Sequence, residues 1–171
     1  FPNDPLFQIL PKILRSTPYL THLNLGGNSI GFQDEVLATP HELEAFAKAI
    51  ASVQSLTSLS LKNCSLTLKA VKALLQHKVF GPSLKSLDLS GNDLRKEGVK
   101  ELVKGKAFQH LTSLFLSLNE IGDDGATEIC KYISTSNSLS VVDLGSNGIG
   151  EPTKQMMRDA FTTRPDFELT L

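Results

Sequence analysis

Residues 111–121 read Leu-Thr-Ser-Leu-Phe-Leu-Ser-Leu-Asn-Glu-Ile, and this eleven-residue stretch decides the fold because its skeleton recurs along the chain. The skeleton has apolar residues at its first, fourth, sixth and eleventh positions, and an asparagine or a cysteine at its ninth. Residues 167–171 hold a shortened sixth copy, and four further full copies begin at Leu20, Leu56, Leu84 and Leu139. Successive full copies therefore start 36, 28, 27 and 28 residues apart. Such a period is typical of solenoid proteins, in which each repeat packs only on its neighbours.

Each part of the skeleton predicts one piece of local structure. The alternating Leu-x-Leu at the fourth to sixth positions predicts a short β-strand whose leucines face one way and whose middle residue faces the other. The asparagine at the ninth position lies where the chain turns out of that strand, and its amide can bond backbone groups that the turn would leave unpaired. Cys64 takes this place in the second copy and is interpreted as a buried turn residue.

The segments between the strands have the spacing of amphipathic helices. In the fourth copy the apolar residues Ala126, Ile129 and Ile133 recur at helical intervals, with charged residues between them. The same spacing places both Met156 and Met157 in the core of the last helix. One strand and one helix fill a repeat of 27 or 28 residues, so strand and helix are predicted to alternate along the chain.

Residues 1–17 have no strand pattern and are predicted to form a helix that is broken or kinked near Pro11, because proline lacks an amide hydrogen. This segment is either a cap over the first repeat or the helix of a preceding repeat. The chain begins at Phe1 without an initiator methionine or a charged-then-apolar leader, so we expect an excised or processed segment. Residues 18–171 then form one domain of five full repeats and a terminal strand, whose open ends favour self-association.

The skeleton, the repeat length and the run Ile121-Gly-Asp-Asp-Gly-Ala126 ahead of the fourth helix resemble the ribonuclease-inhibitor-like class of leucine-rich repeat proteins. The resemblance covers residues 18–171 and implies an α/β fold, a horseshoe-shaped solenoid with a parallel sheet on its concave face and helices on its convex face. Members of this class are predominantly intracellular, bind other proteins and include inhibitors, innate-immune sensors, a Ran GTPase activator and bacterial effectors. The resemblance implies a protein partner and a cytoplasmic location, which is the host cytosol for a secreted effector.

Composition restricts the other classes of function. The net charge of −1 over 171 residues argues against a nucleic-acid partner or an anionic membrane, because both select a basic surface. No stretch approaches the ~20 apolar residues of a membrane helix. The two cysteines fit neither a disulfide framework nor a zinc spacing, and the four histidines lie at unrelated positions, so we expect no metal site and no cofactor. The chain lacks the motifs of nucleotide-binding and hydrolytic enzymes, which favours a non-enzymatic protein.

The candidate binding residues lie on the face formed by the middle residues of the Leu-x-Leu strands. Those residues are mostly small and polar, and Phe115 is the exception between Asp88 and Asp143 of the adjoining repeats. Leu118 follows in a turn where the other copies have glycine, asparagine or serine. An aromatic residue and a leucine among small polar residues have the composition of a protein-binding hot spot. The predicted partner-binding residues are Phe115, Leu118, Asp88, Asp143, Lys62 and Asn24.

Three alternatives to a concave binding face stay open. The first repeat is longer than the others, and its insertion at Phe32–Pro40 is a rival binding site with its own apolar residues. Arg95 is the only arginine in the repeated strand-and-turn units, so a GTPase-activating protein resembling the Ran activator is an alternative function. The repeats could also serve only to shape an arc within a larger immune sensor or bacterial effector.

Overall fold

The computed structural model describes residues 5–28, 30 and 40–171, and within these ranges helices and strands alternate. The helices are α1 (Pro5–Ser16), α2 (Pro40–Ala51), α3 (Leu68–Gln76), α4 (Arg95–Lys104), α5 (Gly122–Thr135) and α6 (Glu151–Phe161). The strands are β1 (His22–Asn24), β2 (Ser58–Ser60), β3 (Ser86–Asp88), β4 (Ser113–Phe115), β5 (Val141–Asp143) and β6 (Glu168–Thr170). Each of the first five strands covers the third to fifth positions of the skeleton, which confirms the predicted alternation.

The six strands form one parallel sheet whose spatial order follows their order in the sequence. The register aligns the fourth position of the skeleton across the whole sheet, through Leu23, Leu59, Leu87, Leu114, Val142 and Leu169. The helices that connect the strands pack in the same order, each against the next. The architecture is the predicted α/β solenoid, with the sheet on the concave face and the helices on the convex face.

The leucines of the skeleton form a continuous core between the sheet and the helices. Leu87 and Leu114 are completely buried, and the helical residues Ala126, Ile129 and Ile133 that pack over the sheet are buried to the same extent. Removal of these apolar side chains from water is the main favourable contribution to folding. The helical spacing in the sequence therefore identified the buried face of α5 correctly.

Two details of the predicted helices are wrong. Met156 is 41% exposed, whereas Met157 is fully buried. The difference arises because Met157 has the position in α6 that Ile129 has in α5, while Met156 has the position of the partly exposed Glu128. In addition, α1 is one helix from Pro5 to Ser16 that includes Pro11, so the predicted break is absent, and Leu10 and Leu14 on either side of the proline are buried in the core.

A row of buried asparagine side chains joins each repeat from the third onward to the one before it. Asn92 donates its amide hydrogens to the carbonyl oxygens of Leu89 in its own repeat (2.7 Å) and of Leu61 in the preceding repeat (3.0 Å). Its Oδ1 accepts the backbone N–H groups of Cys64 (3.0 Å) and Leu66 (2.9 Å). Asn119 and Asn147 bridge their repeats in the same way. The predicted turn role is confirmed, and the bridge between repeats is an addition to it.

Cys64 takes the asparagine position between the first and second repeats and makes a smaller bridge. Its thiol donates to the carbonyl oxygen of Leu25 at 3.2 Å, as the asparagine amides do at the other junctions. Both cysteines are free and buried, and burial raises the pKa of the Cys64 thiol and of the Cys130 thiol. Because the thiolate is the reactive form, both are chemically quiet core residues, as the sequence predicted.

Candidate functional site

The face of the sheet opposite the helices is made of small polar side chains. In each of the four inner strands the central residue is buried, and the two residues beside it are partly exposed. Half of these partly exposed residues are serines, namely Ser58, Ser60, Ser86 and Ser113. A face of this composition leaves the backbone of the sheet accessible to a partner.

Phe115 is the large apolar residue on this face, and the strand register places it between two carboxylates. It pairs with Asp88 of β3 on one side and with Asp143 of β5 on the other. Because neighbouring strands lie about 4.8 Å apart, the two carboxylates lie roughly 10 Å apart across the phenylalanine. Phe115 is partly buried, so its ring is supported by the sheet and still reachable from solvent.

Both flanking aspartates are held in place by their own backbone. One carboxylate oxygen of Asp88 accepts the N–H of Ser90 at 2.9 Å, and one of Asp143 accepts the N–H of Gly145 at 2.9 Å. Asn24 makes the same bond at the first strand, to the N–H of Gly26 (2.9 Å). This contact fixes the carboxylate and leaves its second oxygen for a further bond. Reasoning from the sequence missed this anchoring, although an aspartate or asparagine two residues before a small residue was the available signal.

Leu118 occupies a strained backbone position next to this face. Its φ of 58° lies in the left-handed region, and its side chain is 58% exposed. The matching residues of the other repeats share the conformation but are small or polar: Gly27, Asn63, Gly91 and Ser146. A bulky residue with positive φ costs of the order of 1 kcal/mol, and such strain concentrates at functional sites. Leu118 is therefore a second exposed apolar residue, in the turn that directly follows Phe115.

The structure brings together only part of the predicted set. Asp88, Phe115 and Asp143 lie side by side on β3, β4 and β5, and Leu118 follows β4 directly. Lys62 and Asn24 are exposed but belong to the second and first repeats, two and three strands from Phe115. At about 4.8 Å per strand they lie roughly 10 and 14 Å along the sheet. They can contact an extended partner but not the same side chain that contacts Phe115.

Arg95 pointed to an alternative GTPase-activating function, and the insertion was the rival binding site. The Nε of Arg95 lies 2.7 Å from Asp93 Oδ1 and 3.8 Å from Glu120 Oε2, at the edge where β3 leads into α4. The hydrogen bond to Asp93 raises the pKa of the Arg95 guanidinium, which is therefore a paired surface cation away from the strand face. The insertion at Phe32–Pro40 lies outside the described residues, except that α2 begins at Pro40.

The described residues contain no group of three or more histidine, cysteine, aspartate or glutamate side chains that could hold a metal ion. Within the same ranges, none of the helices is long and apolar enough to cross a membrane.

Comparison with known proteins decides the family. A leucine-rich repeat family model matches residues 17–31, 82–103 and 109–130. The ribonuclease inhibitor of Sus scrofa is 30% identical over 146 residues, which are 84% of this chain and 30% of the relative. The chain is a leucine-rich repeat protein of the ribonuclease-inhibitor-like class. This confirms the resemblance on which the sequence prediction rested.

Two further proteins are similar to this leucine-rich repeat chain, one in sequence and one in structure. The human NACHT, LRR and PYD domains-containing protein 2 is 36% identical over 97 residues, 56% of this chain and 9% of that protein. A solved structure of leiomodin-1 actin-binding site 2 superimposes with a TM-score of 0.69 at 17% identity, covering 95% of this chain and 90% of the other, and this shows the shared fold. The chain spans less than a third of the length of the porcine ribonuclease inhibitor and of the human NACHT, LRR and PYD domains-containing protein 2.

Proposed function

We propose that this chain is a non-enzymatic protein-binding module whose partner docks on the concave face of the sheet, with Phe115 as the anchor. The observation that carries the proposal is a partly exposed aromatic ring between two backbone-anchored carboxylates, on a face otherwise rich in serine. A few residues, often large aromatic ones near the centre of the contact, contribute most of the binding energy of a protein interface. The named action of the porcine relative, inhibition of a ribonuclease, supports a protein as the partner.

The chemistry of the face indicates what the partner presents. Asp88 and Asp143 favour basic side chains on either side of an apolar group that covers Phe115. Leu118 extends the apolar contact toward the turn edge, and its strain is explained if its side chain enters the interface. The proposal requires no cofactor, nucleic acid or membrane, and it places the protein inside the cell, where free thiols such as Cys64 and Cys130 persist.

Replacing Phe115 by alanine should weaken binding to the partner about thirtyfold, because truncating an aromatic anchor costs about 2 kcal/mol. The affinity is measured by calorimetry with a partner that is captured from lysate by the parent chain and then purified. The free energy of unfolding should change by less than about 1 kcal/mol, since the ring is only partly buried. Ser60→Ala, at the matching position of β2, is the control and should bind like the parent. If Phe115→Ala also binds like the parent while deletion of residues 32–39 abolishes binding, the concave-face proposal fails.

Replacing Asp88 by asparagine should reduce the salt dependence of association without disturbing the turn. Asparagine keeps an oxygen that can accept the N–H of Ser90, as Asn24 does for Gly26, so only the charge is removed. Exposed charges act mainly on the association rate, and salt screens them. Stopped-flow association rates of parent and variant should differ at low ionic strength and converge at high ionic strength. Equal rates at every salt concentration would show that the carboxylate does not steer the partner.

A further inference from the structure

The middle of the convex face carries an excess of exposed lysines. They lie on α3 and α4 and in the turns that follow these two helices: Lys69, Lys72, Lys78, Lys96, Lys100, Lys104 and Lys106. We call these seven residues the lysine band. The acidic residues of the two helices are Glu97 and Glu101. The net charge of −1, which predicted no anionic membrane as a partner, conceals this excess because it adds the charges of all faces of the molecule.

The lysine band differs from the other helices in how its cations are paired. In α2, α5 and α6 every lysine pairs with a glutamate of its own helix, as Lys131 does with Glu128 at 3.1 Å. In the band, Lys96 lies 3.2 Å from Asp124 of α5. The other six lysines of the band have no carboxylate within ion-pair distance among the described residues. Their charges are therefore available to an anion outside the chain.

The repeat spreads these charges over two neighbouring helices. Lys72 and Lys100 are 28 residues apart, which is the interval between the second and third copies of the skeleton, and Lys78 and Lys106 are separated by the same interval. Because α3 packs against α4, and packed helices lie about 8–10 Å apart, the lysines form a patch and not a single line. The two helices are the third and fourth of the six described helices, so a flat surface that meets the convex face touches the lysine band first.

The side chains of the lysine band select among anionic partners. Protein interfaces are depleted in lysine and depend on large apolar or aromatic anchors. Single-stranded nucleic acid stacks its bases on aromatic side chains. The exposed large apolar residues of the described chain lie elsewhere, on α1, before β1, after β4 and on α6. An anionic lipid surface needs only clustered positive charge, which lysine supplies as a hydrated point charge on a flexible stem.

We infer that the lysine band binds the surface of an anionic lipid bilayer as a peripheral, reversible contact. Inside the cell the cytoplasmic leaflet has the negative surface potential that this requires, and clusters of about four to eight basic residues are typical of proteins that bind it. Phe115 and its flanking aspartates lie on the opposite face of the solenoid, so the bilayer leaves the concave face accessible. The inference does not depend on the concave-face proposal, and each face is tested without the other.

The test uses the 171-residue chain and vesicles of phosphatidylcholine with and without phosphatidylserine. The chain should sediment with the vesicles that contain phosphatidylserine and not with pure phosphatidylcholine, and high salt should release it because salt screens the attraction. Replacing Lys72, Lys100 and Lys104 together by glutamine should weaken the binding more than about tenfold, since each lysine near an anionic surface contributes about fivefold in affinity.

The matched control removes three positive charges outside the band. Lys12, Arg15 and Arg158 are exposed on α1 and α6, each two helices from the nearest helix of the band. That separation is roughly 20 Å and exceeds the screening length of about 8 Å, so their joint replacement by glutamine should change the vesicle affinity less than about twofold. Both triple variants should keep the Tm within about 2 °C of the parent, because the replaced side chains are exposed.

Three results would overturn the inference. The parent chain would fail to sediment with phosphatidylserine vesicles, or it would sediment equally with pure phosphatidylcholine, which would show that charge does not direct the contact. The variant of the band would bind like the parent, which would place the contact on another surface. Polyuridylic acid is the second probe: if the parent binds it and not the vesicles, and the variant of the band loses that binding, the occupant is a nucleic acid and not a bilayer.

Discussion

Replacing Leu114 by alanine should lower the free energy of unfolding by about 2–5 kcal/mol, the range found when a buried leucine leaves a cavity. Leu114 is fully buried at the centre of β4 and is aligned with Leu87 on one side and Val142 on the other. Because repeats are stabilised by their neighbours, the loss should be felt in the flanking strands as well. Urea denaturation followed by circular dichroism measures the change, and amide exchange locates it.

The control for this variant lies on the same strand. Ser113→Ala removes an outward-facing hydroxyl next to Leu114 and should change the free energy of unfolding by less than about 0.5 kcal/mol. If Leu114→Ala were as mild as its control, the leucine would not belong to the core and the alignment of the repeats would be incorrect.

Replacing Asn119 by alanine should cost about 2–4 kcal/mol, because several buried hydrogen bonds of about 1 kcal/mol each disappear together. Its amide donates to the carbonyl oxygens of Leu89 (2.9 Å) and Leu116 (3.0 Å), and its Oδ1 is the acceptor for the N–H of Leu94. Alanine leaves that N–H without a partner inside the protein. Thermal and urea unfolding of the variant measure the loss.

Cys64→Ala is the matched comparison for Asn119→Ala, since Cys64 has the same place in its repeat. The thiol is a weak donor, at 3.2 Å from the carbonyl oxygen of Leu25 and 3.5 Å from that of Lys62, whereas Asn119 bonds both repeats with an amide donor and also accepts the N–H of Leu94. We therefore expect the cysteine variant to lose clearly less stability than the asparagine variant. Equal losses would mean that side-chain volume matters at this position and that the hydrogen bonds between repeats do not.

The architecture could be predicted from the sequence because the same eleven-residue pattern occurs several times. One copy of the pattern at Leu111 would leave strand and helix ambiguous, whereas copies in register at Leu20, Leu56 and Leu84 make the alternation and the parallel order a necessity. The buried face of α5 followed from helical spacing for the same reason. The prediction was weaker where one copy departs from the others. Met156 is the example, because both it and its neighbour Met157 are apolar, yet Met156 lies on the exposed side of α6.

The arrangement of the candidate site could be predicted only as far as the strand register reaches. Alternation along the strands placed Phe115 beside Asp88 and Asp143, and the structure has them so. The bonds that anchor the two carboxylates depend on the path of the chain after each strand, which periodicity does not specify. The positive φ of Leu118 likewise belongs to the turn geometry, and the apolar pattern contains no information about it.

The thiol at the first junction makes the solenoid unequally cooperative. Nearest-neighbour coupling sets how far an unfolding event spreads in a linear array, and here an asparagine amide contributes to it where Asn92, Asn119 and Asn147 join two repeats. Between the first and second repeats the thiol of Cys64 takes the place of the asparagine amide, beside the backbone bonds of the sheet, the hydroxyl bonds of Ser55 and Thr57, and the packing of the helices. The unit formed by α1 and β1 is therefore expected to open as a separate foldon, at a lower free energy than the repeats from β2 onward.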